Sequence, residues 1–227
     1  MNISHEHKTI WWAQEFTDTK ITREVLLNYD FLVYNSKTEQ ILDLKVSEES
    51  HSNEIPNEYS EYKVICNVKN PYDRIFQYFI GTMYQEVLIE KGFSQKLRKN
   101  FNIWISKVFK REKLSSTITE EYKIKNYSKD IFSKWRFDEK IPNFFIRDEY
   151  FYEDLMNLDF INEDFGQNVK NDKKTQFAFD EMYDFDSAKL VYFYYKTVFN
   201  LIPYNPFSFT TESLSDSEKI SFLHDIL

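Results

Sequence analysis

The stretch "VICNVKNPYDRIFQYF", residues 64–79, decides how this chain is read. Its first part, Val64, Ile65, Cys66 and Val68, is short and rich in β-branched residues, which suits a buried strand better than a helix. From Pro71 the period changes. Tyr72, Ile75, Phe76 and Phe79 follow helical spacing, Asn70 is a good N-cap, and Pro71 suits the first helical position, where its missing N–H costs nothing. The stretch predicts a strand, a tight turn and a helix N-terminus. Free amides and the positive end of a helix dipole make such a turn an anion site, flanked here by Lys69 and Arg74. A phosphate is the expected guest. The competing reading pairs Arg74 with a carboxylate on a neighbouring helix and leaves Lys69 in solvent.

Upstream, "KTIWWA" (8–13) predicts a first strand and "TREVLLNYDF", from Thr22, the helix after it. Trp11 and Trp12 must then point to opposite faces. A second strand is expected from Ile41 to Val46, followed by a loop that holds His51 and Glu54 and leads into the strand at 64–68. This order argues for a parallel sheet with helices packed on it. Downstream, residues 71 to about 113 read as mainly helical, with Gly92 ending one helix. "NFFIR" (143–147) is a short strand and "EYFYEDLMNLDFI" (149–161) an amphipathic helix. "DFDSAKLVYFYYKTVFNLI" (184–202) opens on an acidic cap and runs as one helix to Pro203.

The 227 residues suffice for one sizeable core, so a single α/β domain over 1–227 is expected, with a largely helical middle segment at about 71–135. Aromatic residues make up 19% of the chain against only 3 Gly and 5 Pro, which excludes a disordered or linker-rich protein. A net charge of −8 argues against a general nucleic-acid binder but leaves room for a small anion held locally. The single cysteine, Cys66, permits no internal disulfide and no multi-cysteine metal site, and a reducing compartment follows as the default. Four scattered histidines lack familiar ligand spacing, so no metal is expected. No stretch approaches the ~20 apolar residues of a membrane span, and a soluble, cytoplasmic protein is expected.

Four segments, in order, resemble the sulfotransferases that use 3′-phosphoadenosine 5′-phosphosulfate. "VICNVKNPYDRIFQYF" is similar to the strand, turn and helix that hold the 3′-phosphate in that family; Asn70, Pro71, Tyr72 and Arg74 match, Lys69 replaces the usual arginine, and Gln77 stands where a serine is common. "KTIWWAQEFTDTKITREVL" (8–26) resembles the N-terminal strand, phosphosulfate loop and helix. "IPNFFIRDEYFYEDLMNLDFI" (141–161) resembles the later strand and helix, and "DFDSAKLVYFYYKTVFNLIPYNPFSF" (184–209) the C-terminal helix and tail. The resemblance implies a three-layer, P-loop-like core with a central parallel sheet flanked by helices. It also implies sulfuryl transfer from the nucleotide to a hydroxyl, most naturally on a glycan. The N-terminal loop departs from the family pattern: Glu15, Phe16 and Asp18 stand where glycines and a cation are usual.

In such a transfer an acceptor hydroxyl attacks in line and negative charge grows on the departing oxygen, so cations or amides are needed there and a base at the attacking oxygen. The leaving-group side falls to Lys20 with Thr17, Thr19 and Thr22 and the helix amides. The 3′-phosphate falls to Lys69, Asn70 and Arg74, with Lys170 and Asn168 closing over the nucleotide as the family's basic loop does. His51 is the first candidate for the base, because imidazole titrates near neutrality and relatives carry a histidine in that segment; Glu54 is the second. Arg147 and Glu149 are expected to tie the late strand to its helix. His5 and His7 precede the first strand and face the wrong end of a parallel sheet. Two other classes stay open: a non-catalytic binder of nucleotide or protein with a degenerate loop, and a P-loop phosphotransferase, which needs a glycine-rich Lys-Ser/Thr loop not found here.

Overall fold

A computed structural model describes residues 2–12, 19–26, 28–35, 40–42, 55, 57–82, 95–109, 141–161 and 179–224. The chain divides into two compact units, one made of Met1–Asn70 with Phe137–Lys173 and the other of Pro71–Arg136 with Lys174–Leu227. Among the described residues no helix is long and apolar enough to cross a membrane.

The first unit is α/β. Its strands are β1 (Asn2–Ser4), β2 (Thr9–Trp12), β3 (Leu32–Asn35), β4 (Gln40–Leu42), β5 (Lys63–Val68) and β6 (Phe144–Arg147), in the order β4-β3-β1-β2-β5-β6. The sheet is mixed where a parallel one is expected. β2, β5 and β6 run parallel, with Trp12 opposite Cys66 and Val68 opposite Arg147. β1 joins β2 through a hairpin, Ser4 opposite Thr9, and β3 and β4 extend the sheet antiparallel. The hairpin exists because residues 5–8 turn tightly, with Lys8 in the left-handed region at φ 46°.

Helix α1 (Thr19–Leu26) begins three residues before the expected start and ends before the expected stop. The segment after it turns instead, through N–H bonds from Asn28 to Val25 and from Tyr29 to Leu26, and Asp30 takes φ 54°. Aspartate tolerates that conformation better than most residues, which frees Leu32–Asn35 to form β3.

Alternation along the strands divides the core. Trp11, Ile65 and Ile146 pack in one cluster with Val25 and Leu26 of α1 and with Phe151 and Leu155 of α4's segment, Phe151–Met156. Ile10, Val64, Cys66 and Val68 alternate with that set and are buried as well, so these strands bury both faces, as central parallel strands do. Each large apolar side chain removed from water here contributes ~1.5–3 kcal/mol to the stability of this unit.

The second unit is helical: α2 (Pro71–Thr82), α3 (Gln95–Phe109), α5 (Phe185–Tyr194), α6 (Lys196–Leu201) and α7 (Asp216–Leu223). The change of period at Pro71 and the cap by Asp184, which accepts from the Ser187 N–H at 2.8 Å, occur where the sequence predicts them. The helix expected over 184–202 is divided at Tyr195. Its interior is aromatic: Phe79 and Phe101 lie 5.0 Å apart, Phe101 and Tyr183 4.9 Å, Phe209 and Phe222 5.1 Å. Asn102 ties α3 to the start of α5 by donating to the Met182 carbonyl and accepting from the Asp184 N–H.

Candidate functional site

Because β2, β5 and β6 are parallel, their carboxyl ends share one edge of the first unit's sheet, the place where open α/β sheets bind ligands. Lys69 and Asn70 follow β5 there, Asp148, Glu149 and Tyr150 follow β6 in a 3-10 turn, and α1 begins after β2.

The charges at this edge are already committed to one another. Lys69 Nζ lies 3.9 Å from Asp148 Oδ2, with the two side chains only 15% and 6% exposed. The Asn70 N–H donates to Glu149 Oε1 at 2.7 Å. Lys69 is therefore neither in open solvent nor aimed at an empty cradle. An anion arriving at this turn must displace two carboxylates, and the net charge of the group Lys69, Asp148 and Glu149 is negative.

Arg147, the last residue of β6, is clamped. Asp154 of α4 accepts from its backbone N–H at 2.9 Å, from Nε at 2.7 Å and from Nη2 at 2.6 Å. This fork ties the strand to its helix, as expected of Arg147, and spends the guanidinium's edge on protein, whereas Glu149, expected to share that role, accepts from the Asn70 N–H. Its face meets the Tyr150 ring, with Cζ 4.4 Å from the ring centroid.

On the leaving-group side, Thr19 and Lys20 are the first two residues of α1, the position from which a helix N-terminus meets an anion. Thr22 points elsewhere. It is fully buried, and its Oγ1 accepts from Asn67 Nδ2 at 2.8 Å, while Asn67 Oδ1 accepts from Trp11 Nε1 at 2.7 Å. This chain of buried bonds orients α1 on β2 and β5; Thr22 is a structural residue here. Thr17, His51, Glu54, Asn168 and Lys170 lie outside the described residues.

Arg74 belongs to the second unit and is 2% exposed. Its guanidinium sits beside the Tyr195 hydroxyl and pulls that pKa down, but burial acts more strongly and the net shift is upward. Burial raises Tyr72 and Tyr183 well above the ordinary tyrosine value too, and each donates at 2.7 Å, Tyr72 to the Pro206 carbonyl and Tyr183 to the Tyr72 carbonyl. A folded-state pKa above the unfolded one keeps the contribution of these tyrosines to the stability of this unit constant below about pH 10 and makes it fall above that. Ultraviolet titration is expected to show the buried tyrosinates emerging together with loss of circular dichroism; their emergence in a still-folded protein would contradict this assignment.

Asp148 and Asp154 are the residues that sequence reasoning passed over. The signal for Asp154 was its place on the following helix, seven residues beyond the strand-end Arg147; nothing local announces Asp148, whose partner is 79 positions away. Among the described residues no group of three or more His, Cys, Asp or Glu is arranged to hold a metal ion. No family model, curated protein or solved structure matches this chain.

Proposed function

We propose that the chain is a sulfotransferase that moves a sulfuryl group from 3′-phosphoadenosine 5′-phosphosulfate to a hydroxyl, with a glycan as the acceptor class. The observation that carries the reading is the shared edge: β2 and β5 are parallel neighbours, α1 follows β2 and is bonded to β5 through Thr22 and Asn67, and the Lys69-Asn70 turn follows β5. A nucleotide bearing anions at both its 3′ and 5′ ends suits two adjacent anion turns. The reading extends to the fold, a three-layer P-loop-like core in a single domain, supported by strands buried on both faces.

In this scheme the acceptor oxygen forms a bond to sulfur as the bond from sulfur to the 5′-phosphate oxygen breaks. The proton passes to His51 or Glu54, and Lys20, Thr19 and the first amides of α1 take the charge on the leaving oxygen. Lys69 leaves Asp148 to bind the 3′-phosphate, with Asn70 shaping the turn, Arg74 holding the following helix and Lys170 closing over the nucleotide.

A second reading, a non-catalytic binder on the same fold, is favoured by Asp148 and Glu149, which occupy Lys69 and the Asn70 N–H. Calorimetric titration with 3′-phosphoadenosine 5′-phosphate, beside ATP with magnesium, tests both. Micromolar binding of the first ligand alone is expected. Lys69→Ala is expected to weaken it by about 1.5–3 kcal/mol, the worth of a charge-assisted bond. Binding without sulfation of any sugar acceptor selects the second reading, and absence of binding sinks both nucleotide readings.

A further inference from the structure

We infer that Tyr150 is the stacking platform for the planar base of the bound nucleotide, an inference that rests on the nucleotide reading above. Four large hydrophobic side chains stand exposed among the described residues, Ile141, Tyr150, Ile220 and Leu223, and Tyr150 is the aromatic one, at 48% exposure. Its place is the ligand edge of the sheet, in the 3-10 turn that begins with Lys69's partner Asp148. Such a turn rises about 2 Å per residue, so a ring on its third residue and an anion at Lys69 fall within the reach of one nucleotide.

The ring is also held. One face rests on the Arg147 guanidinium at 4.4 Å, and that guanidinium is fixed by its two-pronged bond to Asp154. A tyrosine backed by an immobile cation loses little freedom when a second flat ring covers its other face, which lowers the cost of stacking. No cap role explains the residue: Tyr150 precedes α4 without a side-chain bond to it. A base offers a π face of matching size to the exposed ring, and base–aromatic stacking needs no particular hydrogen-bonding partner.

The test compares adenosine 3′,5′-bisphosphate with the abasic deoxyribose 3′,5′-bisphosphate by calorimetry on the full chain, in wild type, Tyr150→Ala and Tyr150→Phe. Removing one stacked ring is expected to weaken the adenosine ligand on the order of tenfold in Tyr150→Ala. Tyr150→Phe, which keeps the ring, stays within about twofold, and the abasic ligand binds all three proteins alike. Undiminished adenosine affinity in Tyr150→Ala overturns the platform and leaves the nucleotide reading standing. Equal losses for both ligands overturn it as well, since they report a disturbed anion turn. Failure of the wild type to bind the adenosine ligand removes the reading and the platform together.

Discussion

Asp154→Ala is expected to lower the stability of the first unit by about 3–5 kcal/mol, because it strips three hydrogen bonds from Arg147 and leaves a largely buried guanidinium without its counter-charge. The side chains are 25% and 7% exposed, so water reaches Arg147 in part and the lower end of that range is the better expectation. Thermal unfolding should move down by about 10 °C. Asp154→Asn, which keeps the shape and one acceptor oxygen, is expected to lose less than half as much. A melting point unchanged in Asp154→Ala would mean that the fork contributes nothing beyond its geometry.

Arg74→Ala separates two roles that the sequence alone leaves joined. As an anion ligand, Arg74 predicts a loss of nucleotide affinity of about 1.5–3 kcal/mol in a protein of normal stability. Its burial in the second unit beside Tyr195 predicts the other result: stability falls by about 2–4 kcal/mol, as for other buried polar groups removed from a packed interior, and affinity in the remaining folded protein changes little. Chemical denaturation and titration on the same preparation read both quantities. A stable variant that no longer binds would return Arg74 to the ligand.

Several elements were legible from local chemistry. The β-branched run at 64–68 and the Asn-Pro start at 70–71 produced β5 and α2 within one residue of expectation, and Asp184 capped α5. Helix α7 was legible and overlooked: Ser215 and Glu218 form a capping box, the Ser-x-x-Glu pattern that marks a helix start. The hairpin from β1 to β2 was not legible. "NIS" is too short to show a period, and only its pairing with both β2 and β3 makes it a strand.

The candidate site divides in the same way. Residue types and their order along the chain were enough to place a cation and a helix start after a buried strand, to predict an α/β unit, and to suggest an anion as guest. Those features depend on propensity and on contacts within a few residues, which sequence carries directly. Tertiary structure alone decided that Asp148 and Glu149 cross 79 positions to meet Lys69 and Asn70, that Asn67 turns Thr22 inward, and that Arg74 is interior. The reason is physical: a side chain's partner is set by which strands become neighbours, and the burial that fixes its charge and hydrogen bonds exists only once distant segments have packed.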